Sequence, residues 1–300
     1  MAKTLAGIHV ALLSGFDDAG RFDPARQTNI AKAALDQRID GLYVGGSSGE
    51  SASMTPDELA HQQEVVAQAA KGSGRALIAH VGVPALHEAV RLARHARDLG
   101  YNGLSALPPH AFPFRPADVL DYYRAIATAT DLPVIIYEVP FRTGRETPLP
   151  EMDALLSLPN VMGLKFTTTN LYALSRIQAR HPEKTYFYGV DEMFGAGMAL
   201  GADGGIGTTY NVIGGLYTDI AAAIVRGDLA EVRRLQRISQ DLVDMVIGVG
   251  VIPGTKRLWQ LAGVDCGPAR APLRLAQGTP LAALEDWFAQ GHITPWLVTT

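Results

Sequence analysis

The chain of 300 residues has a single cysteine, Cys266. No internal disulfide and no cysteine metal cluster can form, so a reducing, cytoplasmic setting is expected. No apolar run reaches the roughly 20 residues that a membrane-crossing helix needs; the uncharged stretches are broken by Gly, Pro or a polar residue. Neither sign of charge is in excess: 26 basic residues stand against 30 acidic ones, a net charge of −4. A nucleic-acid binder would carry a basic excess or a basic stripe, so neither nucleic acid nor membrane is expected as a partner. Charged residues make up only 19% and apolar residues 47%, which excludes a disordered chain. The N-terminal stretch MAKTLAGIHVALLSGFDD has no signal-peptide cleavage pattern. The eight histidines include no H-x-H or H-E-x-x-H pair, so no metal centre is expected, and His87 and His95 read as a solvated helix face.

What is present is an alternation. Short apolar runs at 8–13, 41–44, 76–81, 103–107, 133–139, 161–166, 185–190 and 204–208 are flanked by Gly, Pro or Asp, as strands buried on both faces should be. Helical patterns fall between them, at 24–36, 56–70, 84–99, 116–129, 150–158, 170–180, 191–200 and 213–225. Several open on proline, which suits the first turn of a helix. Eight β-then-α units predict an α/β fold, a (β/α)8 TIM barrel over 1–225. A doubly wound sheet would need a glycine-rich nucleotide turn after its first strand; SGFDDAGRFD has none. From Asp228 to Gly291 three more helices follow without strands, so residues 226–300 are expected to form a C-terminal helical extension of the same domain.

Active sites of such barrels lie at the C-terminal ends of the strands. The chain has six lysines, Lys3, Lys32, Lys71, Lys165, Lys184 and Lys256; only Lys165 falls within an apolar strand pattern, the others reading as polar or helical. Burial depresses a lysine pKa, and a neutral amine can form an imine with a ketone. The competing reading is a structural lysine paired to a carboxylate. Tyr137 precedes it on strand five, either to relay protons or simply to pack. Gly45-Gly46-Ser47-Ser48-Gly49-Glu50 offers hydroxyls and N–H groups that could cradle a carboxylate, or a plain turn into the next helix. It lacks the Walker lysine. It also matches G-x-S-x-G, but SASMT intervenes before the helix, against a serine nucleophile. Asp191 and Glu192 open the helix after strand seven, either to complement its dipole or to accept the hydroxyls of a polyol. The loop GGIGTT after strand eight has no nearby Lys or Arg, so neutral hydroxyls suit it better than phosphate.

Together, DGLYVGGSSGES, YEVPFRTG and GLKFT resemble the pyruvate-dependent class I aldolases, the group that includes N-acetylneuraminate lyase and dihydrodipicolinate synthase. The resemblance covers nearly the whole chain. The lyase branch fits best, through YGVDEMFGAGMALGADGGIGTTYNVIGGLY, TTTNLYALSRI and LIAHVG. It implies that Lys165 forms a Schiff base with pyruvate and that Tyr137 handles protons. Ser47 and Ser48 would hold the pyruvate carboxylate, and Thr167, Gly189, Asp191, Glu192 and Thr208 would contact the hydroxyls of a sugar-derived aldehyde. No metal or organic cofactor would be required, and the family usually assembles as tetramers. Three positions depart from the family pattern. Arg142 stands where the synthase branch has a carboxylate-binding arginine, Glu138 replaces a usual asparagine, and His110, in Leu-Pro-Pro-His, replaces a relay tyrosine.

Three readings follow. The first is reversible cleavage of N-acetylneuraminate, or a related 2-keto-3-deoxy sugar acid, to pyruvate and an aldehyde. The second keeps the imine but uses an acidic partner on Arg142, in a condensation or a dehydration. The third, motivated by His110, is a non-catalytic barrel that senses pyruvate or a sugar acid.

Overall fold

The computed structural model describes residues 5–275 and 281–298, so Lys3 and, in the expected extension, residues 276–280 and 299–300 lie outside the described residues. Eight strands, β1 (Gly7–Ala11), β2 (Gly41–Val44), β3 (Ala76–His80), β4 (Gly103–Ala106), β5 (Val134–Glu138), β6 (Val161–Phe166), β7 (Thr185–Tyr188) and β8 (Gly204–Gly207), close into a barrel in chain order. All pairings are parallel, and β8 returns to β1. The helices between them are α1 (Pro24–Leu35), α2 (Pro56–Ala69), α3 (Leu86–Asp98), α4 (Pro116–Ala129), α5 (Pro140–Thr143), α6 (Leu149–Leu156), α7 (Leu171–Arg180) and α8 (Phe194–Ala199). After β8 come α9 (Tyr210–Arg226), α10 (Leu229–Val249), α11 (Val251–Leu261) and α12 (Leu281–Ala289).

Local chemistry sets the boundaries. Asp23 caps α1 by accepting from the N–H groups of Ala25 and Arg26, with Pro24 in the first turn. Thr55 and Glu58 form a reciprocal capping box at α2. The expected start at Pro84 is two residues early: Ala85 is extended and α3 begins at Leu86. The stretch after β5, for which the sequence pattern assigns no element, makes the one-turn helix α5. Gly144 closes it at φ 81°, donating its N–H to the Pro140 carbonyl. The helix expected at 191–200 divides into a 3₁₀ turn, Asp191–Met193, and the short α8. The helix expected from 213 starts at Tyr210 and bends at Ile213.

Strand alternation separates two cores. Val134, Ile136, Leu164 and Phe166 face outward into the layer between barrel and helices, while Ala11, Tyr43, Ile78, Ile135, Phe187 and Ile206 fill the interior. Gly163 is required by close packing: a Cβ there would lie 2.0 Å from the Thr185 carbonyl oxygen on the next strand. Helix α10 packs on α9 and on the turn at Asp191, and α11 packs on α10 and α9, so both helices reach the cavity at the upper rim. Cys266 is buried, its thiol pushed up to about 11 by burial.

Candidate active site

Tyr137 and Lys165 are register partners on β5 and β6, so both side chains point to the same, inner face. The Lys165 Nζ lies 4.1 Å from the Tyr137 ring centroid and 4.2 Å from that of Tyr43. Lys165 is buried, and among the described residues no carboxylate lies within ion-pair distance of it. Burial lowers its pKa from the ordinary 10.5 to about 7; the Asp191 charge opposes the shift and the Arg142 charge adds to it. The structural alternative, a lysine neutralised by a barrel carboxylate, is therefore not what the chain builds.

Burial raises the Tyr137 pKa, while the Arg142 charge and the hydroxyls of Ser47 and Thr167 oppose the rise. Beneath the ring, His80 accepts the Leu107 N–H at Nε2 (3.1 Å), so the proton on Nδ1 faces the Gly45 carbonyl at 3.0 Å. Burial holds the His80 pKa down to about 3, so it stays neutral and joins the β2 exit to the β4 exit.

The strand-two loop runs through a turn and a 3₁₀ turn, Ser51–Ser53, before α2, so it is not the strand-to-helix elbow of a serine hydrolase. Its carbonyls are consumed from below. Gly45 faces His80, Gly49 accepts from the Ser14 hydroxyl, and Ser47 accepts from the Glu50 N–H. Ser48 Oγ lies 2.7 Å from Thr208 Oγ1, across the mouth from β2 to β8. Asp191 is buried and caps no helix. It accepts from the Thr209 N–H (2.8 Å) and hydroxyl (2.7 Å), tying the β7 exit to the β8 exit. Burial raises its pKa to about 6.

A cavity of about 520 Å³ opens above Lys165 and is lined by all ten residues that the sequence singles out: Ser47, Ser48, Tyr137, Arg142, Lys165, Thr167, Gly189, Asp191, Glu192 and Thr208. Gly189 makes room for Thr167, whose Oγ1 would lie 2.1 Å from a Cβ at that position. Arg142, on α5, has no carboxylate partner among the described residues and stacks beside Phe141. The sequence reading missed the opposite wall, which is aliphatic: Val243, Val246 and Ile247 from α10, Val251 and Ile252 from α11. No motif marks them; they are ordinary apolar positions of amphipathic helices. His110 and Glu138 do not line this cavity. His110 sits on an exposed loop with its Nδ1 3.1 Å from the Pro108 carbonyl, and Glu138 accepts from the N–H and hydroxyl of Thr147. Among the described residues no cluster of three or more His, Cys, Asp or Glu could hold a metal ion, and no helix is long and apolar enough to cross a membrane.

The similarity extends over the full chain. An N-acetylneuraminate lyase of Rhizobium meliloti (strain 1021) is 40% identical over 296 residues, 99% of this chain and 98% of that protein. The crystal structure of CdNal from Clostridium difficile in complex with mannosamine superposes with a TM-score of 0.91 at 32% identity, covering 98% of this chain and 100% of the other. That of N-acetylneuraminate lyase from Fusobacterium nucleatum complexed with pyruvate gives 0.88 at 33% identity, covering 99% of each. Residues 4–287 match the model of the Dihydrodipicolinate synthetase family. With an eight-stranded barrel, a buried amine at the top of β6 and this span of similarity, the chain belongs to the dihydrodipicolinate synthetase family.

Proposed function

We propose that the protein is a class I aldolase, an aldehyde-lyase that reversibly cleaves N-acetylneuraminate or a related 2-keto-3-deoxy sugar acid to pyruvate and an aldehyde. One observation carries the reading: a buried amine with pKa about 7 at the floor of a hydroxyl-lined cavity. The neutral Lys165 Nζ attacks the 2-keto carbon, and loss of water leaves a protonated imine that acts as electron sink. Tyr137, left as the phenolate after giving its proton to the water that departs from the carbinolamine, takes the proton of the C4 hydroxyl; the C3–C4 bond breaks and its electron pair forms an enamine. Protonation at C3 and hydrolysis then release pyruvate and restore the amine. The N–H and hydroxyl groups of Ser47 and Ser48 fix the carboxylate and hence the angle of attack. Thr167, Gly189, Asp191, Glu192 and Thr208 receive the hydroxyls of the aldehyde part. The working form is a homotetramer in the cytoplasm, as the family resemblance implies.

A second reading, favoured by Arg142 standing in the cavity without a carboxylate partner among the described residues, gives the aldehyde its own acidic group. One experiment separates the two. Borohydride is added in the presence of pyruvate and the protein is weighed intact, then pyruvate release is measured over a panel of neutral and acidic 2-keto-3-deoxy acids. The expected outcome is an adduct on Lys165, no adduct in Lys165→Met, and release from N-acetylneuraminate. Absence of any adduct would leave the sensing barrel as the better account. Selective loss of acidic substrates in Arg142→Ala would favour the second reading.

A further inference from the structure

Lys165 is not the only buried lysine. Lys256, read from the sequence as polar or helical, lies on α11 and is 2% exposed. Its Nζ lies 2.8 Å from Oε1 of Glu50, whose side chain is fully buried, and donates to the Pro268 carbonyl at 2.8 Å. It also stands 4.7 Å from the centroid of the Phe16 ring. The other Glu50 oxygen accepts the Arg270 N–H at 2.7 Å, and the Arg270 guanidinium pairs with Glu58 at the start of α2. Two opposite charges have thus been carried out of water to a point directly behind the strand-two loop, where desolvation makes them costly.

The geometry of the loop gives that cost a purpose. Glu50 has left-handed backbone (φ 58°), uncommon for a residue with a side chain. Its N–H donates to the Ser47 carbonyl, and the next N–H, of Ser51, reaches the Gly46 carbonyl. The turn that aims Ser47 and Ser48 into the cavity is therefore completed by Glu50, and the Glu50 carboxylate is held by residues from the far end of the chain. Helix α11 supplies Val251 and Ile252 to the cavity wall and Lys256 to the anchor. We propose that Glu50 and Lys256 are positioning residues for the keto-acid end of the site: through this ion pair the C-terminal helices, not the barrel alone, set the geometry of the loop that receives the carboxylate. The proposal rests on the pyruvate reading of the cavity.

The test uses the full chain and three variants, Lys256→Met, Lys256→Arg and the double Glu50→Gln/Lys256→Met. Removing one charge strands the other in the interior, whereas the double variant removes both and restores stability toward that of the native protein. Melting temperature, KM for pyruvate and KM for the aldehyde are measured in the condensation direction, after borohydride trapping of pyruvate on the native protein. Loss of a charge-assisted anchor predicts a pyruvate KM raised about tenfold or more in the Met-bearing variants, with the aldehyde KM within twofold of native and partial rescue in Lys256→Arg. A folded double variant with native pyruvate KM would overturn the proposal, as would a parallel rise in both KM values. Failure of every variant to fold would make the pair a folding element and overturn it too. Absence of trapping on the native protein would instead remove the pyruvate reading itself.

Discussion

Lys165 costs the fold stability, and the sign of that cost is open to measurement. Its ordinary pKa of 10.5 falls to about 7 in the folded chain. Between those values the unfolded chain holds a proton that the folded one has released, so this group makes stability rise with pH from about 7 to 10.5, and its full penalty applies below about 7. Lys165→Met, which replaces the amine with an apolar chain of similar length, is expected to melt higher than the native protein at pH 6, by differential scanning calorimetry, while losing activity. The neutral amine also predicts that the rate of borohydride trapping with pyruvate climbs through about pH 7; a flat profile across pH 6–8 would contradict it. Lys165 was legible because an isolated lysine in an apolar strand has few explanations. Lys256 was not. Its helix looks amphipathic and ordinary, and the carboxylate that accompanies it into the interior comes from the opposite end of the chain.

The strands were readable because, in a barrel sheathed by helices, both faces are apolar and each strand becomes a short continuous run. What local pattern could not show is how each strand leaves the sheet. Pro140 and Gly144 turn the unassigned stretch after β5 into the turn α5, which carries Phe141 and Arg142 to the cavity. The proline and the left-handed glycine are visible in the sequence, but their joint effect depends on where the sheet stops. The strands also approach one another closely at glycines. A methyl group on Gly163 would collide with backbone of β7, which cannot swing aside as a side chain can. Gly163→Ala is therefore expected to destabilise the fold by about 2–3 kcal/mol, read as a lowered denaturation midpoint with unchanged m-value. A midpoint equal to native would show that β6 and β7 separate freely.

At the scale of the molecule, the order of eight βα units gave the topology, since parallel strands joined by right-handed helical crossovers leave few alternatives. The aliphatic wall of the cavity stayed hidden because nothing local tells a C-terminal helix which rim it will cover. Phe112, Phe141 and Tyr172 are 72%, 73% and 77% exposed in the isolated chain. Single exposed rings of this kind are ordinary on a protein surface, so the proposed tetramer is tested by mass. Static light scattering is expected to return four times the chain mass of 32.1 kDa; a single-chain mass would remove the tetramer from the proposed working form. The pairing of β8 back onto β1 has a consequence beyond the active site. A ring of strands offers no loose margin on which a foreign chain can continue the ladder. Even at high concentration, fibril-like templating cannot begin on this sheet until the ring itself has been broken open.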